Sequence, residues 1–259
     1  MIDTHCHFDT AAFDADRDEV LARARAAGVT DIVVPAIGPE SWEPLLTLAA
    51  RTPGVHAGLG IHPQLLPELP PRDDDRHLAD LDAWLARGGA VAVGECGLDG
   101  PSAEGAPMDR QLAVLRGHLA LARKHRLPVL LHCLRAHEPL IRLLSKEAKL
   151  PASGVLHSYS GGADHVRKYA GWDLYFSFAG PVTYENARKV PLAVRAVPPE
   201  RLLLETDAPD QTPRPHRGRC EPAHLPEVAR GVAAALGSTI EEVEAQTDAN
   251  ARRLFGLAR

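Results

Sequence analysis

The sequence predicts an α/β protein folded as one (β/α)8 or TIM barrel over residues 1–259, and three observations carry that expectation. Eight short β-branched or apolar runs alternate with helical segments; no shift of composition marks a linker; and histidines and carboxylates recur at the ends of the runs. An open, doubly wound sheet is the alternative. Eight strands are many for it, and no glycine-rich phosphate fingerprint follows the first strand.

Taken in order, residues 1–8 are extended and carry His5 and His7 two apart. A strand with period 2 would put Asp3, His5 and His7 on one face and Thr4 and Cys6 on the other. A charged, alanine-rich helix over 14–27 stops at Gly28, a C′ residue. A β-branched strand over 29–37 leads to a helix from Pro39 to about Arg51. Strand 55–60 ends in Ile61-His62-Pro63, a proline-rich acidic loop covers 67–75, a helix 78–87 and a strand 90–96. A Gly/Pro loop over 97–107 precedes a long helix at 109–125, strand 128–132, helix 138–149, strand 154–158, helix 163–170, strand 174–178, helix 184–196 and strand 201–206. A loop holding Pro209, Pro213, Pro215 and Gly218 leads to helices over 222–236 and 240–257. No internal repeat or low-complexity segment occurs.

Composition excludes several classes. With 45% hydrophobic and 24% charged residues the chain is an ordinary globular one, not a disordered one. Met1 runs directly into Asp3 and His5 without a basic flank and apolar core, and no run reaches membrane-spanning length, so a cytoplasmic location is expected. Four cysteines without CxxC spacing indicate reduced thiols. Net charge is 29 − 34 = −5 with the signs interspersed, which argues against a long nucleic-acid footprint.

Barrel enzymes place their chemistry at the C-terminal ends of their strands. Five of the thirteen histidines stand there, His5, His7, His62, His132 and His157, together with Glu95 and Asp207. Each alone suits a satisfied core residue. Converging on one rim, His5, His7, Glu95, His132, His157 and Asp207 form a ligand set for divalent ions, Zn²⁺, Mn²⁺ or Mg²⁺, and six ligands exceed one tetrahedron. The expectation is two ions with a carboxylate between them. Asp207 is the candidate acceptor of a water proton, and His62 the candidate contact to phosphate or leaving group. Glu205 and Asp3 are candidates for orienting a ligand imidazole, with a structural buried pair as the other reading. Arg135, Arg217 and Arg219 are candidate phosphate clamps, and Ser158 precedes a helix start that suits an anion. Tyr159 is either a base-stacking ring or a core tyrosine.

The motifs Ile2-Asp3-Thr4-His5-Cys6-His7-Phe8-Asp9, Gly60-Ile61-His62-Pro63, Val93-Gly94-Glu95-Cys96-Gly97-Leu98-Asp99, the run from Leu127 to His132, His157-Ser158-Tyr159-Ser160-Gly161, the run from Leu203 to Pro209, and Asn250-Ala251-Arg252-Arg253-Leu254-Phe255 occur in this order. Across nearly the whole chain they resemble the TatD family of metal-dependent deoxyribonucleases, within the amidohydrolase-like barrels. The resemblance implies one ion on His5, His7, Glu95 and Asp207 and a second on Glu95, His132 and His157, with Glu95 shared. It also implies hydrolysis of DNA phosphodiesters, often from a 3′ end, by metal-activated water.

Three departures from the family pattern bear on substrate preference. Gly100-Pro101-Ser102 stands where an aromatic is usual, Cys133-Leu134-Arg135 stands in place of Ser-Arg, and the segment 217–222 lacks the usual asparagine and is one residue short. From the resemblance, the leading expectation is a 3′-5′ exonuclease on single-stranded DNA. Hydrolysis of another ester or amide, such as D-aminoacyl-tRNA or a small molecule, is the alternative, because the same activated water attacks carbonyl carbon. A non-catalytic metal-loaded scaffold stands last.

Overall fold

The computed structural model describes residues 1–147 and 152–258. Eight strands, β1 (Ile2–Asp3), β2 (Asp31–Pro35), β3 (Val55–Leu59), β4 (Ala90–Asp99), β5 (Val129–Leu134), β6 (Gly154–Leu156), β7 (Tyr175–Phe178) and β8 (Leu202–Leu204), pair in sequence order, each parallel to the next. The expected barrel is present. Its seam is closed by the chain beyond β1 and β8. Thr4 donates from N and from Oγ1 to Leu204 O at 3.1 and 2.8 Å, and the Asp207 N–H reaches His5 O at 2.9 Å.

Helices α1 (Arg17–Ala26), α2 (Trp42–Arg51), α3 (Asp74–Ala86), α4 (Met108–His125), α5 (His137–Leu144), α6 (Ala163–Tyr169), α7 (Lys189–Ala196), α8 (Leu225–Leu236) and α9 (Ile240–Phe255) surround it. Ile2, Val33, Ala92, Leu130, Val155 and Leu203 fill the barrel from six strands, and Leu254 and Phe255 of α9 close its floor. A second apolar layer lies between strands and helices and holds all four cysteines, which are free thiols. Asn250 is fully buried and donates to Pro199 O and Leu202 O, both at 2.8 Å, which fixes α9 against β8. A capping box between Thr239 and Glu242 starts that helix. Among the described residues no helix is long and apolar enough to cross a membrane.

Several element boundaries differ from expectation. The first helix begins at Arg17 because residues 11–13 form a separate 3-10 turn. Three aspartates, Asp73 to Asp75, open α3 instead of ending a loop, as acidic residues complement the positive end of a helix. The helix expected over 184–196 starts only at Lys189. That start places Pro191 in the first turn, where its missing N–H costs no helical bond. The helix expected to reach Lys149 ends at Leu144, and residues 148–149 lie outside the described residues. β4 continues past Cys96 to Asp99, with Gly97 paired to His132, Leu98 to Cys133 and Asp99 to Leu134. A Cβ on Gly97 would come within 2.0 Å of His132 O, so glycine is what lets these strands approach so closely.

Candidate metal centre

β1 stops at Asp3, so the strand alternation expected through His7 ends there. Ile2 points into the barrel, which leaves Asp3 on the opposite pleat face. There Asp3 accepts from Thr206 N at 3.0 Å, Thr206 Oγ1 at 2.5 Å and His5 N at 3.3 Å. It therefore ties the segment after β1 to the end of β8 and touches no imidazole; burial pushes its carboxyl up to about 8. His5 and His7 reach the barrel mouth from the irregular segment that follows.

Glu95 reaches the same mouth by another route. Simple alternation from Ala92 would turn Glu95 outward, but the β4–β5 register shifts between Val93 and Cys96. That irregularity turns Glu95 inward and leaves Cys96 in the outer apolar layer. His132 belongs to β5, and His157 follows β6 directly. His62 and Asp207 follow β3 and β8.

The two oxygens of Glu95, a fully buried residue, serve two groups of side chains. Oε2 lies 3.1 Å from His5 Nε2 and 3.6 Å from His7 Nε2, and Asp207 Oδ1 lies 3.7 and 3.8 Å from the same two nitrogens. Oε1 lies 2.8 Å from His157 Nε2, 3.0 Å from His132 Nδ1 and 2.9 Å from His62 Nε2. His132 Nδ1 and His157 Nε2 are 3.1 Å apart. Tetrahedral ligands at about 2.0–2.2 Å from a divalent ion stand about 3.3–3.6 Å from one another, close to the spacing around His5 and His7; the His132 and His157 group is drawn in to hydrogen-bond distance.

Unpartnered atoms point the same way. His5 Nε2 and Glu95 Oε2 face each other at 3.1 Å and both are buried without a hydrogen-bond partner, an expensive arrangement that a cation beside them would satisfy. Burial opposes ionisation of Glu95, but the surrounding imidazoles outweigh it and hold the carboxyl well below its ordinary range. The corresponding competition raises His157 well above the ordinary histidine value, whereas burial lowers His7 to about 3. Burial also raises Asp207 to about 6. The donor set fits divalent ions that accept nitrogen and oxygen ligands.

Hydrogen bonds fix the tautomers. Gln64 N donates to His62 Nδ1 at 3.1 Å, so the neutral imidazole carries its proton on Nε2 and donates it to Glu95. His62 is thus a donor within the site, and burial lowers its basicity. Asp99 Oδ2 faces His132 Nε2 at 2.9 Å, leaving Nδ1 as the free lone pair toward Glu95. Glu205 lies behind His157. It accepts from Ser158 N and Ser177 Oγ, and its Oε1 is 3.6 Å from His157 Nδ1.

The other expected residues have varied placements. Ser158 borders the site and shares a hydrogen bond with Gln211, 2.9 Å from its Oε1 and 2.7 Å from its Nε2. Tyr159 is 4% exposed, donates to Gly162 O and packs edge-on against Phe176 and Phe178. Arg135 and Arg217 are exposed. Arg219 is turned away from the metal ligands: it holds Asp16 and Glu221 and lies over the Phe13 ring. Two residues of the site went unassigned in the sequence. Asp99 stands in the Glu95 motif four residues on, a visible spacing, whereas Gln211, which donates to Asp207 Oδ2, has no sequence signal. Arg135, Ser158, Asp207 and Gln211 all have φ between 40° and 55°, so four of the left-handed non-glycine residues gather at this mouth, the others among the described residues being Arg126 at the end of α4, Ser153 and Asp173.

Comparison with known proteins supplies the family. The family described as "TatD related DNase" matches residues 2–256. The chain is 35% identical over 258 residues to the uncharacterized metal-dependent hydrolase YabD of Bacillus subtilis (strain 168), covering 99% of each. It is also 35% identical over 264 residues to the 3′-5′ ssDNA/RNA exonuclease TatD of Klebsiella pneumoniae (strain 342), covering 99% of this chain and 98% of that one. The crystal structure of YJJV, a TatD homologue from Escherichia coli K12, superposes with a TM-score of 0.93 at 33% identity, covering 100% and 98% of the two chains. On its barrel and on these matches, the chain belongs to the TatD family of metal-dependent hydrolases.

Proposed function

We propose that this hydrolase is a nuclease that shortens single-stranded DNA from its 3′ end, with two divalent ions, Zn²⁺, Mg²⁺ or Mn²⁺, held by the six ligands. The observation that carries the reading is the division of Glu95, one oxygen toward His5 and His7 and the other toward His132 and His157. His5, His7, Glu95 and Asp207 would hold one ion, and Glu95, His132 and His157 the other. When bound, the ions supply an activated water and neutralise charge on the phosphoryl group.

The chain's own residues do the rest. Asp207, held by Gln211 through Oδ2, accepts the water's proton. His62 keeps a neutral Nε2–H directed into the site, where it donates to the oxygens of the phosphate or leaving group. Asp99 holds the His132 ring by a hydrogen bond, and the Glu205 charge 3.6 Å behind His157 Nδ1 favours the orientation in which Nε2 faces Glu95. The relative named 3′-5′ ssDNA/RNA exonuclease supports the choice of substrate.

Metal-reconstituted protein is expected to shorten a 5′-labelled single strand progressively, and a blocked 3′ end is expected to slow it. Preferential internal cutting of duplex, or hydrolysis of aminoacyl-tRNA with DNA untouched, overturns the nuclease reading and leaves the metal ligands standing.

A further inference from the structure

The mouth of the barrel is divided into two electrostatically different halves. The loops after β1 to β4, residues 4–16, 36–41, 60–73 and 100–107, contain Arg72 as their one Lys or Arg. Among the described residues, Glu40, Glu68 and Glu104 are exposed there without an ion-pair partner. Asp14 and Asp73 are met by Arg17 and Arg76. On the other half, Arg135, Arg188, Arg214 and Arg217 in the loops and Lys189 at the start of α7 are exposed and form no ion pair with the described residues. The exposed carboxylates among its loops are Glu185 and Asp210, and Glu138 and Asp164, exposed in the first turns of α5 and α6, are met by Lys168 and Arg167.

A cavity of about 280 Å³ opens on that same basic half. Its walls come only from the β5 to β8 side. They include the ligands His132, His157 and Asp207 at one end and Tyr159, Phe178 and Val182 along an apolar flank. Small-molecule pockets run to about 300–1,000 Å³, so this space, near the lower end, suits a single flat unit with one face on the apolar flank and polar edges toward the ligands and Ser158. The lip beyond it is stitched together. Tyr184 Oη donates to Thr212 O at 3.0 Å, Arg214 N donates to Thr183 Oγ1 at 2.8 Å, and the Arg214 guanidinium lies 5.7 Å from the centre of the Tyr184 ring. A Cβ on Gly180 would fall 1.6 Å from Gln211 O, so the two loops meet backbone to backbone. Their cations are therefore carried on a packed lip.

We infer that the terminal nucleoside of a single strand occupies this cavity and that the strand leaves over the lip formed by residues 179–189 and 205–221. Arg188, Lys189, Arg214 and Arg217 then follow its phosphates. The inference rests on the nuclease reading and adds a direction and a reason for strand preference. One sugar-phosphate backbone finds cations along this path, whereas the second strand of a duplex would lie toward Glu40, Glu68 and Glu104. Four phosphate contacts on a single strand give a slope of about −3 in log K against log salt.

Two assays on the full-length chain test it. The first is anisotropy of a 5′-labelled single strand with Ca²⁺ in place of the active metal; the second is kcat/KM for that strand relative to bis-p-nitrophenyl phosphate, which has no chain to lay over the lip. The variants are R188E/R214E and, on the opposite half, E40K/E68K. Arg188 immediately precedes α7, where a carboxylate would complement the positive end of the helix, so its reversal is compatible with the fold. The double arginine reversal is expected to weaken strand binding at least about tenfold near 0.1 M salt and to lower the strand-to-small-diester ratio by a similar factor. E40K/E68K is expected to leave single-strand affinity within about twofold of wild type and to improve duplex binding. Equal strand affinity in wild type and R188E/R214E, an equal change from E40K/E68K, or no strand binding by wild type overturns the inference. Strand binding that depends on Arg188 and Arg214 with no phosphodiester cleaved under any metal upholds the path and refutes the nuclease reading.

Discussion

Asp99 Oδ2 sits 2.9 Å from His132 Nε2, on the side of the imidazole away from Glu95. The same oxygen accepts from Gln64 Nε2 at 3.0 Å, and Ser102 N donates to Oδ1 at 2.8 Å, so the carboxylate is itself fixed on both oxygens. Burial works against the charge of Asp99, but these donors outweigh it and hold the carboxyl well below its ordinary value. Burial likewise opposes protonation of His132, and the Asp99 and Glu95 carboxylates outweigh it. Asp99→Ala is expected to weaken metal binding at the His132 and His157 group by roughly 10–100-fold. Competition titration against a chelating dye measures it. Unchanged affinity would remove Asp99 from its orienting role.

Glu95 and His157 should behave differently. Glu95→Ala is expected to reduce metal content at both groups, because each Glu95 oxygen faces a different one. His157→Ala is expected to deplete mainly one. Metal analysis by mass spectrometry of the two purified variants gives the comparison, and equal losses would contradict a shared carboxylate.

Gly97→Ala tests the close approach of β4 and β5. The added Cβ would lie 2.0 Å from His132 O, and φ at Gly97 is 150°, so neither strand can accommodate it without moving. A loss of at least about 2 kcal/mol is expected from denaturant unfolding. Metal affinity at His132 should fall as well, since the paired residue carries that ligand.

The ion-paired group of Asp16, Glu221, Arg23 and Arg219 predicts a pH dependence of stability. Hydrogen bonds from Arg219 and Arg23 lower Asp16 to about 2, and those from Arg23 and Arg219 lower Glu221. A depressed carboxyl stabilises the folded state fully above its ordinary range near pH 4, and that contribution fades as pH falls toward the folded value. Arg219→Met is therefore expected to lower Tm at pH 7, with the gap to wild type narrowing from about pH 4 downward. A gap constant down to pH 2 would assign the loss to packing over Phe13 instead.

The barrel was legible because each strand is an apolar run bounded by turn chemistry, and the alternation with helices leaves few topologies. The strand ends were less so. Gly97 reads as a breaker in isolation, yet it continues β4 because the backbone of β5 lies where a side chain would be. The ligands were visible as residue types at strand ends, but the facing of Glu95 depends on a register shift that alternation does not encode. His5 and His7 reach the mouth from beyond a strand of two residues, so their shared face owes nothing to a pleat. Gln211 was invisible because its role arises from a loop that folds back across Asp207, and Arg219 looked like a phosphate clamp because its partner Asp16 is remote in sequence.

In the proposed centre one carboxylate, Glu95, joins two ligand groups into a single hydrolytic site. Anomalous diffraction from crystals of the metal-reconstituted protein tests this most directly. The predicted result is two peaks at the barrel mouth, one beside His5, His7 and Asp207 and the other beside His132 and His157, with the Glu95 carboxylate between them. A single peak with Glu95 Oε1 bonded only to imidazoles, or metal bound away from Glu95, would contradict it.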